Sequence, residues 1–270
     1  MVAAITGYLA DQNCYICALE QFDDESTDNF FMRAVFRPQQ GSPTIGDIKK
    51  GFVSVAEEFS MEWKIHDPNI AIKAVIMVSK YDHCLDDILY RIRKGEFNIE
   101  IAAVISNHND LRALVEREGL RFEYLPVTRE NKPSQEQKLI EIMQKTETEL
   151  VVLARYMQIL SPTLTEQLRG RCINIHHSFL PGFKGAKPYH QAFHRGVKVI
   201  GATAHYVTSD LDEGPIIEQV VTRVDHNCKP EHLERIGRDS ELIALARAIR
   251  YHIERRVFLD GNKTVVFLGG

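Results

Sequence analysis

The chain has 270 residues, 44% of them apolar, and carries 33 Lys and Arg against 37 Asp and Glu, a formal net charge of −4. That length suits one large domain or a small one followed by a medium one, and the near-balanced charge supplies no global field for nucleic acid or an anionic membrane surface. No apolar run approaches the roughly 18 residues of a membrane span, residues 1–6 lack the basic start and long apolar core of a secretory signal, and five cysteines, an odd number, point to a reducing cytoplasm.

In chain order, the first 67 residues read as helix, strand, strand, helix, strand. Ile5, Tyr8 and Leu9 stand at helical spacing. Residues 15–19 and 30–36 are short β-rich runs joined by an acidic turn at 23–28, a hairpin pattern. Ile48, Phe52, Val55, Ala56 and Phe59 mark one face of a second helix, and residues 61–65 offer a closing strand. Asp67-Pro68-Asn69 is the expected boundary, dividing the chain into domains 1–67 and 68–270.

From Ile70 the pattern alternates apolar strands with helices, which predicts an α/β domain with a doubly wound, mostly parallel sheet covered on both faces. Strands are expected at 73–79, 99–106, 121–125, 149–154, 172–175 and 197–207. Helices are expected at 82–93, 110–118 with Asp110 as N-cap, 134–145, 162–168, and from Pro230 to about Arg256 with a break near 237–240. A final strand-like run covers 263–267.

The candidate chemistry lies in Asn174-Ile175-His176-His177-Ser178-Phe179-Leu180-Pro181, in Gly201-Ala202-Thr203-Ala204-His205-Tyr206-Val207, and in the Asp212-Glu213-Gly214-Pro215 that follows. Asn174 and His176 are two apart at a strand end, so an extended backbone puts both side chains on one face. An amide beside an imidazole suits a carbonyl oxygen that becomes negative during attack, because both can donate where the charge develops. Asp212, after the next strand, can pair with His176 and take a proton from a nucleophile. By spacing alone, a histidine near a strand end is more often a structural donor than a catalyst.

A resemblance sharpens this. Asn174-Ile175-His176, Leu180-Pro181, Phe183-Lys184-Gly185-Ala186, the strand at 201–207 and Leu211-Asp212-Glu213-Gly214-Pro215-Ile216-Ile217 together resemble the formyltransferase domain that handles 10-formyltetrahydrofolate. The resemblance implies that Asn174, His176 and Asp212 are the catalytic trio. It also implies that Arg155, Met157, Gln158, Ile159 and Leu160 belong to a folate-binding loop, and that backbone groups of Thr208, Ser209, Asp210, Leu211 and Asp212 hold the pterin edge. Periodicity by itself would place Met157, Ile159 and Leu160 in the core.

The loop after the first strand of this domain reads Ser79-Lys80-Tyr81-Asp82-His83-Cys84-Leu85. Members that formylate glycinamide ribonucleotide place a glycine-bearing, phosphate-holding loop there; this one has no glycine, is bulky and adds an acid, which disfavours a phosphorylated acceptor. With Val78-Ser79-Lys80, Ser106-Asn107-His108, His176-His177, Lys187-Pro188-Tyr189-His190-Gln191-Ala192 and the ending Gly261-Asn262-Lys263-Thr264-Val265-Val266-Phe267, the chain is similar to the formyltetrahydrofolate deformylases. That family's pattern implies a small ferredoxin-like ACT domain at the amino terminus, here without its opening strand, an amino-acid effector bound there, and a homo-oligomer, dimer or tetramer. It implies a folate substrate and hydrolysis to tetrahydrofolate and formate, with no metal or other cofactor and no nucleic-acid or membrane partner.

Two rival functions stay open at this stage, formyl transfer to an amine acceptor and a catalytically dead folate or amino-acid sensor. Among the other polar residues, His177, His205 and His190 are candidates to surround His176, with His205 equally readable as a donor to a buried carbonyl. His83 and Lys80 read by default as exposed loop residues. Lys184, Lys187 and Arg195 are candidates to attract folate carboxylates, against the ordinary reading of a solvated surface. Cys14-Tyr15-Ile16-Cys17 has redox-like spacing but falls in a strand, where core packing is the expectation.

Overall fold

The computed structural model describes residues 1–182 and 188–269. The chain divides into two compact units, Met1–Ile70 together with the terminal glycines from Gly269, and Ala71–Leu268.

In the first unit, α1 (Val2–Asp11) leads into the antiparallel hairpin of β1 (Cys14–Asp24) and β2 (Asn29–Pro38), and α2 (Ile45–Glu58) follows. Thr44 starts α2 by accepting a hydrogen bond from the Asp47 amide at 3.2 Å, with the Asp47 carboxylate adding charge suited to the helix start. Leu9, Cys14 and Ile48 form the centre of a small core, with Ile5, Tyr8, Ile16, Ala34, Phe36 and Ile65 against it. The strand expected at 61–65 does not form. A strand exists by its ladder to a neighbour, whereas this segment sends Trp63 edge-on against Phe52, with centroids 4.9 Å apart, and Ile65 into the core.

The second unit holds β3 (Ile72–Val78), α3 (His83–Arg93), β4 (Ile99–Ser106), α4 (Arg112–Arg117), β5 (Phe122–Tyr124), α5 (Lys132–Lys145), β6 (Leu150–Leu153), α6 (Pro162–Gln167), β7 (Cys172–His176), α7 (Pro188–Arg195), β8 (Val199–Tyr206), β9 (Ile216–Arg223), α8 (Pro230–Ile253), β10 (Val257–Asp260) and β11 (Lys263–Val266). Seven strands make one sheet in the order β5-β4-β3-β6-β7-β8-β9. The pairs from β5 to β7 are parallel, and β8 and β9 run antiparallel. Period-two alternation splits β3 between two cores: Ala74, Ile76 and Val78 join α3 and α8 residues such as Leu85, Ile88, Leu245 and Ile249, while Val75 and Met77 join Leu139 and Leu164 of α5 and α6.

The chain leaves β3 toward β4 and β5 in one direction and returns to place β6 on the other side of β3. This reversal makes a switch point where the loops after β3 and β6 part, the usual crevice for a ligand in an open α/β sheet. Some expectations need correction. Asp110 does not cap α4, whose N-cap is Leu111, without a side-chain hydrogen bond. The helix expected to break near 237–240 is continuous in α8. Strands β9 and β10 and helix α7 were not expected. Among the described residues no helix is long and apolar enough to cross a membrane.

Candidate active site

β7 ends on Asn174 and His176, and its antiparallel pairing with β8 sets Asn174 opposite His205 and His176 opposite Thr203. After β8 the chain turns back so that the Tyr206 amide donates to the Pro215 carbonyl at 2.9 Å. The turn depends on Gly214, where a Cβ would lie 1.7 Å from the Tyr206 carbonyl oxygen. Within it Asp212 sits in the left-handed region at φ 56°, a conformation that costs on the order of 1 kcal/mol or more for a residue with a side chain and is typical of functional loops.

These elements bring the three predicted catalytic residues together. Asp212 Oδ2 lies 3.3 Å from His176 Nδ1, and Asp212 Oδ1 lies 3.8 Å from His205 Nε2. His205 Nδ1 is 2.9 Å from the Tyr206 carbonyl oxygen and must donate to it, since a carbonyl only accepts. In the neutral ring Nε2 then carries the lone pair and accepts from Asn174 Nδ2 at 3.2 Å. His205 therefore fixes which way the Asn174 amide points. His176 Nε2 is buried and has no hydrogen-bond partner among the described residues, which leaves it aimed at whatever fills the site.

The electrostatics agree with this arrangement. Burial pushes the Asp212 carboxyl up, but the hydrogen bond from His176 and the nearby imidazoles outweigh it and hold the group below the usual carboxylate range. Burial lowers His205, with the Tyr206 carbonyl and Asp212 opposing it, so the ring stays neutral at pH 7. His177, whose ring centroid is 5.1 Å from that of His176, is pushed down to about 4 by burial first and then by Arg155 and His176.

At the switch point, Ser79 ties the two loops together. Its hydroxyl donates to Asn107 Oδ1 at 2.7 Å and accepts from the Met157 amide at 2.9 Å. In the loop so anchored, Met157 and Ile159 are 53% and 57% exposed, contrary to the core reading, while Tyr156 and Leu160 fill the core beneath. Gln158, Ile159 and Leu160 also line a small cleft with Leu125, Val127 and Leu139. In the other expected loop Ser209, Asp210 and Leu211 are exposed, and Thr208 Oγ1 donates to the Asp210 carbonyl at 3.1 Å.

A second cluster lies beside the first and had little signal in the sequence. Glu241 of α8, 1% exposed, receives His83 Nε2 at 2.9 Å and the Tyr189 hydroxyl at 2.9 Å, and Arg155 Nε lies 3.5 Å away. His83 is thus not the exposed loop histidine expected. The Arg155 guanidinium stacks over the Tyr81 ring at 4.9 Å. His83, Cys84 and Glu241 are also near enough to hold a metal ion. Arg155 already supplies a positive charge beside Glu241.

Lys80 is exposed, His190 is exposed with Nε2 3.7 Å from Glu234, and Arg195 is exposed. Lys184 and Lys187 lie outside the described residues. Cys14 is buried in the hairpin but Cys17 is exposed, so core packing holds for only one of the pair.

Comparison with known proteins gives the family of the chain. Residues 72–249 match the family model described as formyl transferase. A formyltetrahydrofolate deformylase of Corynebacterium sp. (strain P-1) is 50% identical over 266 residues, 98% of this chain and 93% of its own. The crystal structure of a formyltetrahydrofolate deformylase from Burkholderia mallei superposes with a TM-score of 0.94 at 52% identity, covering 98% of this chain and 94% of that one. A glycinamide ribonucleotide transformylase from Symbiobacterium toebii superposes with a TM-score of 0.68 at 30% identity, over 76% of this chain and 98% of that one. The backbone alone therefore does not choose the acceptor.

Proposed function

The chain belongs to the formyltetrahydrofolate deformylases, and on that premise we propose how Asn174, His176 and Asp212 hydrolyse 10-formyltetrahydrofolate to tetrahydrofolate and formate. The observation that carries the assignment of roles is the orphaned, buried His176 Nε2 beside an ionised Asp212.

Asp212 uses Oδ2 to hold His176 and has lone pairs on Oδ1 to accept a proton from water. The resulting hydroxide adds to the formyl carbon, and the carbonyl π electrons move to oxygen. Protonated His176 donates from Nε2 to that oxyanion, together with the Asn174 N–H not engaged by His205. When the C–N10 bond breaks, N10 takes a proton from His176 and formic acid leaves and ionises to formate; the proton taken up by Asp212 then passes to His176, 3.3 Å away, which restores both groups. Donors already fixed by the fold need no reorganisation as the charge develops. No metal or other cofactor has a role in this sequence of steps.

Met157, Ile159 and Leu160 are assigned to the walls of the pterin pocket and Arg155 and Gln158 to the same folate-binding loop, supported by the exposed apolar side chains of Met157 and Ile159. The backbone of Thr208, Ser209, Asp210 and Leu211 is assigned to the pterin edge, and His177 and His205 to the surroundings of His176. The first unit is assigned as an ACT-like module that binds an amino-acid effector and associates with further copies. Its hairpin exposes Tyr15, Leu19, Phe22 and Val35, which favours association. Five unpaired cysteines favour a reducing cytoplasm.

The test is incubation with 10-formyltetrahydrofolate alone, followed by assay of tetrahydrofolate and formate. Stoichiometric release without any amine is expected. Turnover only in the presence of an amine would sink the hydrolytic reading in favour of transfer.

A further inference from the structure

The buried cluster around Glu241 is unused by the hydrolytic steps, yet it lies next to them. The Tyr189 ring is 6.1 Å from that of His177, which in turn is 5.1 Å from that of His176. Its members come from four separate elements: Tyr81 and His83 from the loop after β3 and the start of α3, Arg155 from the end of β6, Tyr189 from α7 and Glu241 from α8. Two of these places, after β3 and after β6, flank the switch point where an acceptor substrate would enter.

Arg155 is the unusual member. Its backbone is left-handed at φ 63°, a region that suits glycine and not a long side chain. Its guanidinium is buried, at 8% exposure, and Nε and Nη1 make no hydrogen bond among the described residues, although Glu241 sits 3.5 Å from Nε and the Tyr81 ring covers one face. Stability alone does not account for a strained arginine with buried, under-satisfied donors, since an apolar residue of similar volume costs less there. A role in selecting what enters the site does account for it.

We infer that Arg155, stacked on Tyr81 and paired with the Glu241 that His83 and Tyr189 hold, is a specificity-determining plug that fills the acceptor side of the site and reserves the formyl carbon for water. The inference rests on the hydrolytic reading above. The exclusion has a steric and an electrostatic part. Side chains from two loops occupy the space, while water is small enough to pass. Glu241 neutralises the guanidinium, so the plug is also a poor cradle for an acceptor's phosphate. This is selection against the wrong partner, not attraction of the right one.

The alternative reaction that the plug suppresses balances as follows. An amine nitrogen adds to the formyl carbon and loses a proton, the C–N10 bond breaks, and N10 takes up a proton. Tetrahydrofolate leaves and the amine carries the formyl group.

The experiment supplies 10-formyltetrahydrofolate with hydroxylamine as a small amine and measures formohydroxamate against formate, after subtraction of the enzyme-free rate. The ratio does not depend on how much enzyme is folded, so a merely structural effect leaves it unmoved. The wild type should give formate almost alone. Arg155→Gly, which suits the backbone, should raise the ratio of hydroxamate to formate by at least about tenfold, the scale of discrimination that pocket contacts typically supply. Arg155→Lys should return it toward the wild-type value. Tyr81→Ala, at a half-exposed position, loosens the guanidinium by a different route and should move the ratio in the same direction, which covers the case in which Arg155→Gly fails to fold. Equal ratios in wild type, Arg155→Gly and Tyr81→Ala would overturn the plug. Absence of formate from the wild type without amine would instead overturn the hydrolytic reading itself.

Discussion

In the proposed mechanism Asp212, with its backbone in the left-handed region, both holds His176 and faces the nucleophile. Replacing it by Asn keeps size and hydrogen bonding to His176 but removes the base. Formate release should fall by about 10²- to 10⁴-fold, the usual range for general acid–base groups, while folate binding measured by calorimetry persists; activity near wild type would refute the assignment. The histidines give a pH prediction with a definite sign. His177 falls from an ordinary 6.5 to about 4 and His205 is lowered too. The folded state therefore binds fewer protons than the unfolded chain between those values. Their contribution is complete above about pH 6.5 and is lost as pH falls toward 4. Melting temperatures should drop across that window, and His177→Gln should flatten the drop.

At the scale of elements, the site depends on contacts that let neighbours come unusually close. Gly237 lies inside α8 because a Cβ there would be 2.0 Å from the Tyr189 hydroxyl. One turn later the same helix presents Glu241 to that hydroxyl. Gly237→Ala gains helix propensity but overpacks this contact, and a net loss of about 1–3 kcal/mol is expected, readable by denaturant titration; stabilisation would show that Tyr189 is not held as described. Ser79 has a comparable place between β3 and the 155–161 loop. Removing its hydroxyl in Ser79→Ala leaves the Met157 amide without its partner, at a cost of about 1–3 kcal/mol. Its effect on catalysis should be mainly a raised KM for the folate, with kcat less changed. The elements themselves differed in how readable they were. β3, β4 and β6 are continuous apolar runs because both faces are covered, so they stood out. β9 mixes Glu218, Gln219 and Thr222 with Ile and Val, and α7 is a single short helix, so neither carried a clear period. The run at 61–65 had strand-like composition but no ladder to join.

For the whole molecule, the two units place different demands on the sequence. The second supplies a two-sided sheet with its own cores and the whole of the Asn174, His176 and Asp212 site. The first has a small core and a hairpin with apolar side chains left in solvent. Light scattering should therefore report a dimer or tetramer of the chain, and Tyr15→Glu or Phe22→Glu should shift it toward smaller species; a monomeric wild type would remove the association from the account. The amino-acid sequence by itself determined the α/β class, because apolar strand runs are local and survive without coordinates, and its short motifs nominated Asn174, His176 and Asp212 through their resemblance to the formyltransferase domain. Only the tertiary structure decided that His205 orients Asn174, that His176 Nε2 is left unpartnered, and that Arg155, His83, Tyr189 and Glu241 meet. Those relations join residues distant in the chain through strand register and helix packing, and a single charged residue in a helix or loop carries no mark of the partner it will find across a fold.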